Sequence, residues 1–260
     1  MTIEMLFNPL PVTRDWSFIP PAFTAYGAQH LITLGVITFL CVLVVWFGKK
    51  GKSTGRVWLG RLIGLLIVGY IVVFYARQAV LNAWSWEYSL PLELCNIVLV
   101  ACLISIFRPD PLVSEIAYFW GLGGGLQALA TPDLGLGFPS WDFLFFFWGH
   151  GATVLAIVFL IACHNFRPRR GSVLRIMIAL NVYGLAVGVI DAISGWNYGY
   201  LCRKPSVPSL LDFLGPWPWY LLSIELIAFL SFFLLDTPWR LLIWLRKRKA
   251  AGGGSSPEGC

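Results

Sequence analysis

The chain has 260 residues, of which 58% are hydrophobic and only 12% charged, with a mean hydropathy of +0.74. A water-soluble chain of this length carries about 25% charged residues, so a soluble domain is excluded and an integral membrane protein is indicated. The formal net charge of +6 is then information about topology, and nucleic acid is excluded as its reason.

Residues 1–27 lack a charged stretch followed by an apolar core and a cleavage site, so no signal peptide is expected. A membrane span needs about 20 mostly apolar residues, and seven stretches qualify: 28–47, 57–80, 90–107, 112–130, 141–163, 173–194 and 217–245. The third and fourth are joined by a tight Arg108-Pro109-Asp110-Pro111 turn, where proline ends the helix. The predicted fold class is all-α: a polytopic membrane helix bundle of seven transmembrane helices spanning 28–245. Residues 1–27 form an extracytoplasmic segment, and 246–260 a basic and then disordered cytoplasmic tail. No further soluble domain and no internal repeat is predicted.

Basic residues set the orientation. Lys49, Lys50, Lys52, Arg56 and Arg61, then Arg108, then Arg167, Arg169, Arg170 and Arg175, then Arg240 and Arg246 to Lys249 put 15 of the 19 on one side. Arg14, Arg77, Arg203 and Lys204 fall on the other. Seven spans with the N-terminus outside and the C-terminus cytoplasmic satisfy this distribution, whereas an even number would misplace the basic tail. Eight tryptophans (Trp16, Trp84, Trp86, Trp141, Trp148, Trp196, Trp217 and Trp219) gather at outer span ends as an aromatic belt. The pairs Gly60/Gly64, Gly121/Gly125 and Gly184/Gly188 have the spacing that lets helix backbones approach. The six cysteines show no paired-ligand spacing, so neither a disulfide framework, a metal site nor a cofactor is expected.

Polar side chains at depth in a bilayer are costly and turn inward. In chain order the outer halves hold Gln29 and His30, then Arg77, Gln78 and Asn82, then Glu93, Cys95 and Asn96, then Gln127, His150, Asn181 and Asp191, and finally Glu225. His150 lies about eight residues inside Asp142, roughly 12 Å down. The inner halves offer only Glu115 and His164, both near basic loops. This bias predicts a polar pocket opening outward, lined by Arg77, Glu93, Asn96, Gln127, Asn181, Asp191, Asn197 and Glu225, with Arg77 paired to one of the carboxylates Glu87, Glu93, Asp191 or Glu225. On a regular helix at about 100° per residue, Glu93 and Cys95 cannot both face His150. His30 is expected at the interface. The loop 195–216, rich in Pro, Gly and aromatics, is expected to cover the pocket.

Several segments resemble the YwaF-type family of bacterial integral membrane proteins. They are Leu90-Pro91-Leu92-Glu93-Leu94-Cys95, Gly124 to Asp133, Phe145-Phe146-Phe147-Trp148-Gly149-His150-Gly151, and Asn197 to Tyr220. The resemblance covers about 85–220 and implies a multi-pass protein of the bacterial inner membrane. It also implies a distant likeness to eukaryotic multi-span acyltransferases that use a Cys and a His, with His150 at the histidine's position and Cys95 as the cysteine. The chain departs from the pattern at Glu93, where the family has histidine, and at Leu92, where the eukaryotic relatives have cysteine.

Three functions follow. A lipid acyltransferase or hydrolase would use Cys95 as nucleophile and His150 as base, act on a phospholipid or other acyl substrate, and draw on Asn96, Gln127 or Asn181 as hydrogen-bond donors. A small-solute or proton-coupled transporter would use Glu93, His150, Asp191 and Glu225. A non-catalytic scaffold or sensor would use the polar groups only to hold the spans together. In each case the partners are membrane lipids.

Overall fold

The apolar blocks fold as helices because no other open structure satisfies its own backbone in lipid. A computed structural model describes residues 20–204 and 210–252. These hold eight α-helices: α1 (Ala28–Lys50), α2 (Ser53–Val80), α3 (Trp86–Ser89), α4 (Leu94–Phe107), α5 (Pro111–Ala130), α6 (Trp141–Cys163), α7 (Ser172–Ser194) and α8 (Trp219–Gly252). Among the described residues there is no strand beyond a single antiparallel bridge, Ala22 to Leu136. Arg14, Trp16 and the tail 253–260 lie outside the described residues.

Five helices (α1, α2, α6, α7 and α8) are long and apolar enough to cross a membrane. The protein is thus a helical membrane bundle of several passes. Of the seven predicted spans, the third is the 14-residue α4, about 21 Å long at 1.5 Å per residue. The fourth is α5, which carries Ser114, Glu115 and Gln127. Helix α1 runs antiparallel to α5, with His30 against Leu129, and parallel to α6, with Gly48 against Cys163, while α2 runs antiparallel to α6, with Gly60 against Phe159.

Helix α6 is the central post. Apolar on all sides, it buries residues from Phe143 to Leu160 and packs on α1, α2, α4 and α5. Its start is marked by Ser140, whose Oγ accepts from the Phe143 amide at 3.2 Å. The core runs through Ile67, Cys102, Phe119, Ala156, Ile157 and Ile176. Helix α7 lies at the edge and leaves Leu174, Ile178, Val182 and Leu185 exposed, the face a lipid-contacting helix presents. Glycines provide the close crossings, since lipid supplies no hydrophobic drive between helices. A methyl on Gly60 would come within 2.8 Å of Phe159, and one on Gly64 within 2.6 Å of Phe107. The third pair behaves otherwise: Gly184 faces open space and Gly188 meets only Leu201, at 3.8 Å.

Two knots tie the ends. His30 is fully buried, not interfacial: its Nδ1 accepts from the Tyr26 amide at 2.9 Å, leaving Nε2 to donate to the Leu129 carbonyl at 2.8 Å. At the basic end Glu115 is fully buried and accepts from the Arg169 amide and guanidinium, the Arg175 guanidinium and the Ser172 hydroxyl, at 2.6–3.3 Å.

Candidate functional site

The segment between α2 and α4 decides where Cys95 sits. Leu90 and Glu93 are extended, with ψ of 144° and 141°, as the X-Pro step at Pro91 favours for the residue before it. Helix α4 therefore starts one residue after Glu93, with Leu94 and Cys95 in its first turn. The amides of Asn96 and Ile97 bond the Glu93 carbonyl at 3.0 and 3.2 Å. Those of Leu94 and Cys95, at the helix head, have no carbonyl of their own helix to bond. The thiol thus sits where the helix dipole favours negative charge.

Opposite it, His150 projects from the third turn of α6, just after its aromatic run. Cys95 Sγ lies 3.6 Å from His150 Nε2, a sulfur hydrogen-bond distance. His150 Nδ1 lies 2.9 Å from the Phe146 carbonyl oxygen. A carbonyl can only accept, so Nδ1 carries the hydrogen, and in the neutral ring Nε2 presents its lone pair to the thiol. The Phe146 ring packs on the imidazole at 4.3 Å between centroids. Cys95 is solvent-accessible and His150 half-buried.

Between them lies a space of about 30 Å³, lined also by Leu94, Trp120, Gly121, Gly124 and Gly125, with Val98 and Thr153 below. That volume holds a water or two. Methyls on Gly124 and Gly125 would meet nothing within 4 Å, whereas one on Gly121 would strike Ile157 at 2.6 Å. Helix α5 therefore packs tightly at Gly121 and leaves a gap above it. Trp120 lines the same space, and its buried indole N–H has no hydrogen-bond partner.

The remaining predicted pocket residues are spread over the same end of the bundle. Glu93 turns to the loop after α7, where its Oε2 accepts from the Gly199 amide at 3.3 Å. Of Glu93 and Cys95, the cysteine is the one that faces His150. Asn96 neighbours Cys95 on α4 but does not line the gap. Gln127 donates to the Thr131 hydroxyl at 2.9 Å. Asn181 donates to Glu225 at 2.5 Å. Asn197 shapes its own loop, its Oδ1 accepting from the amides of Cys202 and Arg203 at 3.1 and 3.0 Å. Asp191 is buried, and neither carboxylate oxygen has a hydrogen-bond partner. Arg77 stacks over the Trp141 ring at 4.9 Å and makes no ion pair with Glu87, Glu93, Asp191 or Glu225, while Glu87 pairs with Arg203 at 3.6 Å. Among the described residues no three His, Cys, Asp or Glu side chains gather as a metal site would require. The described cysteines, Cys41, Cys95, Cys102, Cys163 and Cys202, are free.

The loop after α7 is pinned over the segment that precedes α4. The Tyr198 hydroxyl donates to the Trp86 carbonyl at 2.7 Å and accepts from the Leu90 amide at 3.1 Å. Residues 205–209 of the expected cover lie outside the described residues. Sequence reasoning singled out neither Trp120 nor the amides of the α4 head. A tryptophan in mid-span, directly before Gly121-Leu122-Gly123-Gly124-Gly125, is the signal that could have found the first.

The model of the TMEM164 family matches residues 25–236, from just before α1 to the middle of α8, so the chain belongs to that family. This corrects the resemblance to the YwaF-type family. That resemblance rested on short stretches such as a Leu-Pro helix head and a Phe run ending in His-Gly, which apolar helices of many bundles can share, whereas the match extends from α1 into α8. The bacterial assignment, drawn from the same resemblance, loses its basis. No curated protein and no solved structure matches the chain.

Proposed function

From membership of the TMEM164 family and the site's geometry, we propose that the protein is a membrane-embedded lipid acyltransferase or hydrolase, with Cys95 as nucleophile and His150 as general base. The observation that carries this reading is the 3.6 Å contact between Sγ and a ring nitrogen whose tautomer is fixed by the Phe146 carbonyl. Family membership supplies the membrane setting; the chemistry rests on the geometry alone. We further propose that α4 and α5 join the five long helices to make seven spans, with the Cys95 end outward and the basic end cytoplasmic. The charge distribution supports this orientation, and the shortness of α4 then recesses its head by about 9 Å from the surface of a 30 Å hydrocarbon layer. The ester carbonyls of phospholipids lie at the edge of that layer, so the reacting ester is drawn inward to reach the thiol.

The Cys95 S–H proton passes to His150 Nε2, and the thiolate attacks the ester carbonyl carbon. The oxyanion so formed is met by the amides of Leu94 and Cys95 at the head of α4 and by the indole N–H of Trp120, which has no hydrogen-bond partner. Collapse breaks the acyl C–O bond, and the imidazolium returns its proton to the leaving glycerol oxygen. The products are a lysolipid and a Cys95 thioester. A second lysolipid hydroxyl then attacks the thioester with His150 again as base, giving transfer; water in its place gives hydrolysis. The gap at Gly124 and Gly125 is where the ester would enter from lipid.

The test uses purified protein in vesicles of acyl-labelled phosphatidylcholine with unlabelled lysolipid. Label moves to the lysolipid, or is released as fatty acid, in the parent. Cys95→Ala loses this movement, and His150→Gln slows it by about 10²–10⁴-fold. Undiminished transfer by Cys95→Ala would sink the reading.

A further inference from the structure

A recess larger than the Cys95–His150 gap lies far from it, at the basic end, between the α4–α5 turn and the α6–α7 loop. Its volume is about 250 Å³. His164, on its wall, is fourteen residues along from His150, about 21 Å down the same helix axis.

Its lining is two-sided in character. Pro109, Pro111, Leu160 and Phe166 make an apolar floor. Arg167 and His164 stand on the rim, both solvent-accessible. Arg167 has no ion pair or hydrogen bond among the described residues, and the His164 ring makes only an edge contact with Phe159 at 5.1 Å. The other charges of the wall are spoken for. Arg169 is held by the buried Glu115. The Asp110 carboxylate accepts from the amides of Leu112 and Val113 at 2.8 and 3.0 Å, so its charge faces the start of α5. Arg108 and Arg170, on the flanking loops, add to the positive field.

We propose that this recess binds the phosphate headgroup of an anionic membrane phospholipid, with Arg167 and His164 as its ligands. A planar guanidinium without a partner is suited to a phosphate. The apolar floor favours an amphiphile over a free ion, because an inorganic anion gains nothing from burying proline, leucine and phenylalanine surface. The recess also lies in the same belt as the basic loops, which is where headgroups of that leaflet sit. This inference is independent of the chemistry at Cys95.

The experiment follows the thermal midpoint of the purified full-length protein in zwitterionic detergent. It is titrated with short-chain phosphatidic acid, short-chain phosphatidylcholine or inorganic phosphate. Phosphatidic acid is expected to raise the midpoint saturably, and phosphatidylcholine and inorganic phosphate are not. Arg167→Gln should raise the half-saturation concentration about fivefold, the size of one basic contact with an anionic lipid, and His164→Gln, which removes a ring hydrogen-bond donor that burial keeps largely uncharged, should raise it by less. Arg170→Gln, an exposed arginine outside the recess that adds only to the surrounding field, should raise it by less than about twofold. An equal response to inorganic phosphate would overturn the lipid assignment. Equal weakening by Arg167→Gln and Arg170→Gln would overturn the site, reducing the effect to surface charge.

Discussion

Replacing Glu115 by Gln removes one negative charge from the centre of the basic end while keeping the side chain's shape. In the parent, Oε1 accepts from the Arg169 amide and Nε, the Ser172 hydroxyl and Arg175 Nη2, and Oε2 accepts from Arg169 Nη2 and Arg175 Nε. An amide keeps one acceptor oxygen and turns an NH₂ toward two guanidinium groups, so donors face donors. Breaking a buried pair by removing one partner costs about 3–5 kcal/mol. Here the two arginine side chains keep 46% and 36% of their surface exposed, so water takes over part of their solvation and the cost drops to roughly 2–3 kcal/mol. For a chain of this size that is a fall of about 4–12 °C in the unfolding midpoint, read by intrinsic fluorescence or by loss of monomer on heating and size exclusion. Glu115→Asp, which keeps the charge on a shorter stem, should fall less. A Glu115→Gln midpoint within about 1 °C of the parent would refute the reasoning, and the arginines would then owe their positions to the loop alone.

Three further outcomes follow from the site. Gly125→Ala has room and should fold at the parent midpoint while slowing acyl transfer, whereas Gly121→Ala meets Ile157 at 2.6 Å and should lose about 1–3 kcal/mol of stability by overpacking; comparing midpoint with turnover in the two variants separates the effects. Trp120→Phe removes an unpartnered indole N–H and should lower the transfer rate by about 10²-fold with little change in midpoint, if that N–H meets the oxyanion; an unchanged rate counts against this role. Asp191→Asn replaces a buried carboxylate without hydrogen bonds and should leave thermal stability unchanged or raise it by about 1 kcal/mol, so a marked loss in a melting experiment would mean that the charge has a use.

Much of the helical plan was legible from hydropathy, because in lipid the apolar run and the helix nearly coincide. The stretch 141–163 is α6 to the residue, and 28–47 is extended only through Gly48, Lys49 and Lys50. The stretch 90–107 shows where that equivalence ends: Leu90 to Glu93 fall in the predicted span but outside the helix, with Leu90 and Glu93 extended around a turn at Pro91-Leu92, and α4 begins at Leu94. That shift also settled the choice between Glu93 and Cys95. The helical projection measured both from one axis, yet Glu93 lies before the helix and is free to turn to Gly199. The bias of polar groups toward one end pointed to the end that holds the Cys95–His150 contact but not to its pairings. Arg77 found the face of Trp141, and Asn181 found Glu225, because such partners depend on helix rotation that a nearly uniform apolar sequence leaves undetermined. His30 is buried by a carbonyl 99 residues away, a contact no local pattern can announce.

The central claim is that Cys95 carries the acyl group. Protein incubated with phosphatidylcholine in the absence of lysolipid acceptor, quenched in acid and digested, can be analysed by mass spectrometry for the peptide containing Cys95. The account predicts that a fraction of that peptide gains the mass of one fatty acid less water, loses it on treatment with neutral hydroxylamine, and gains it about 10²–10⁴-fold more slowly in His150→Gln. Turnover of the lipid with Cys95 unmodified at every time point, and undiminished turnover in Cys95→Ser, would contradict it.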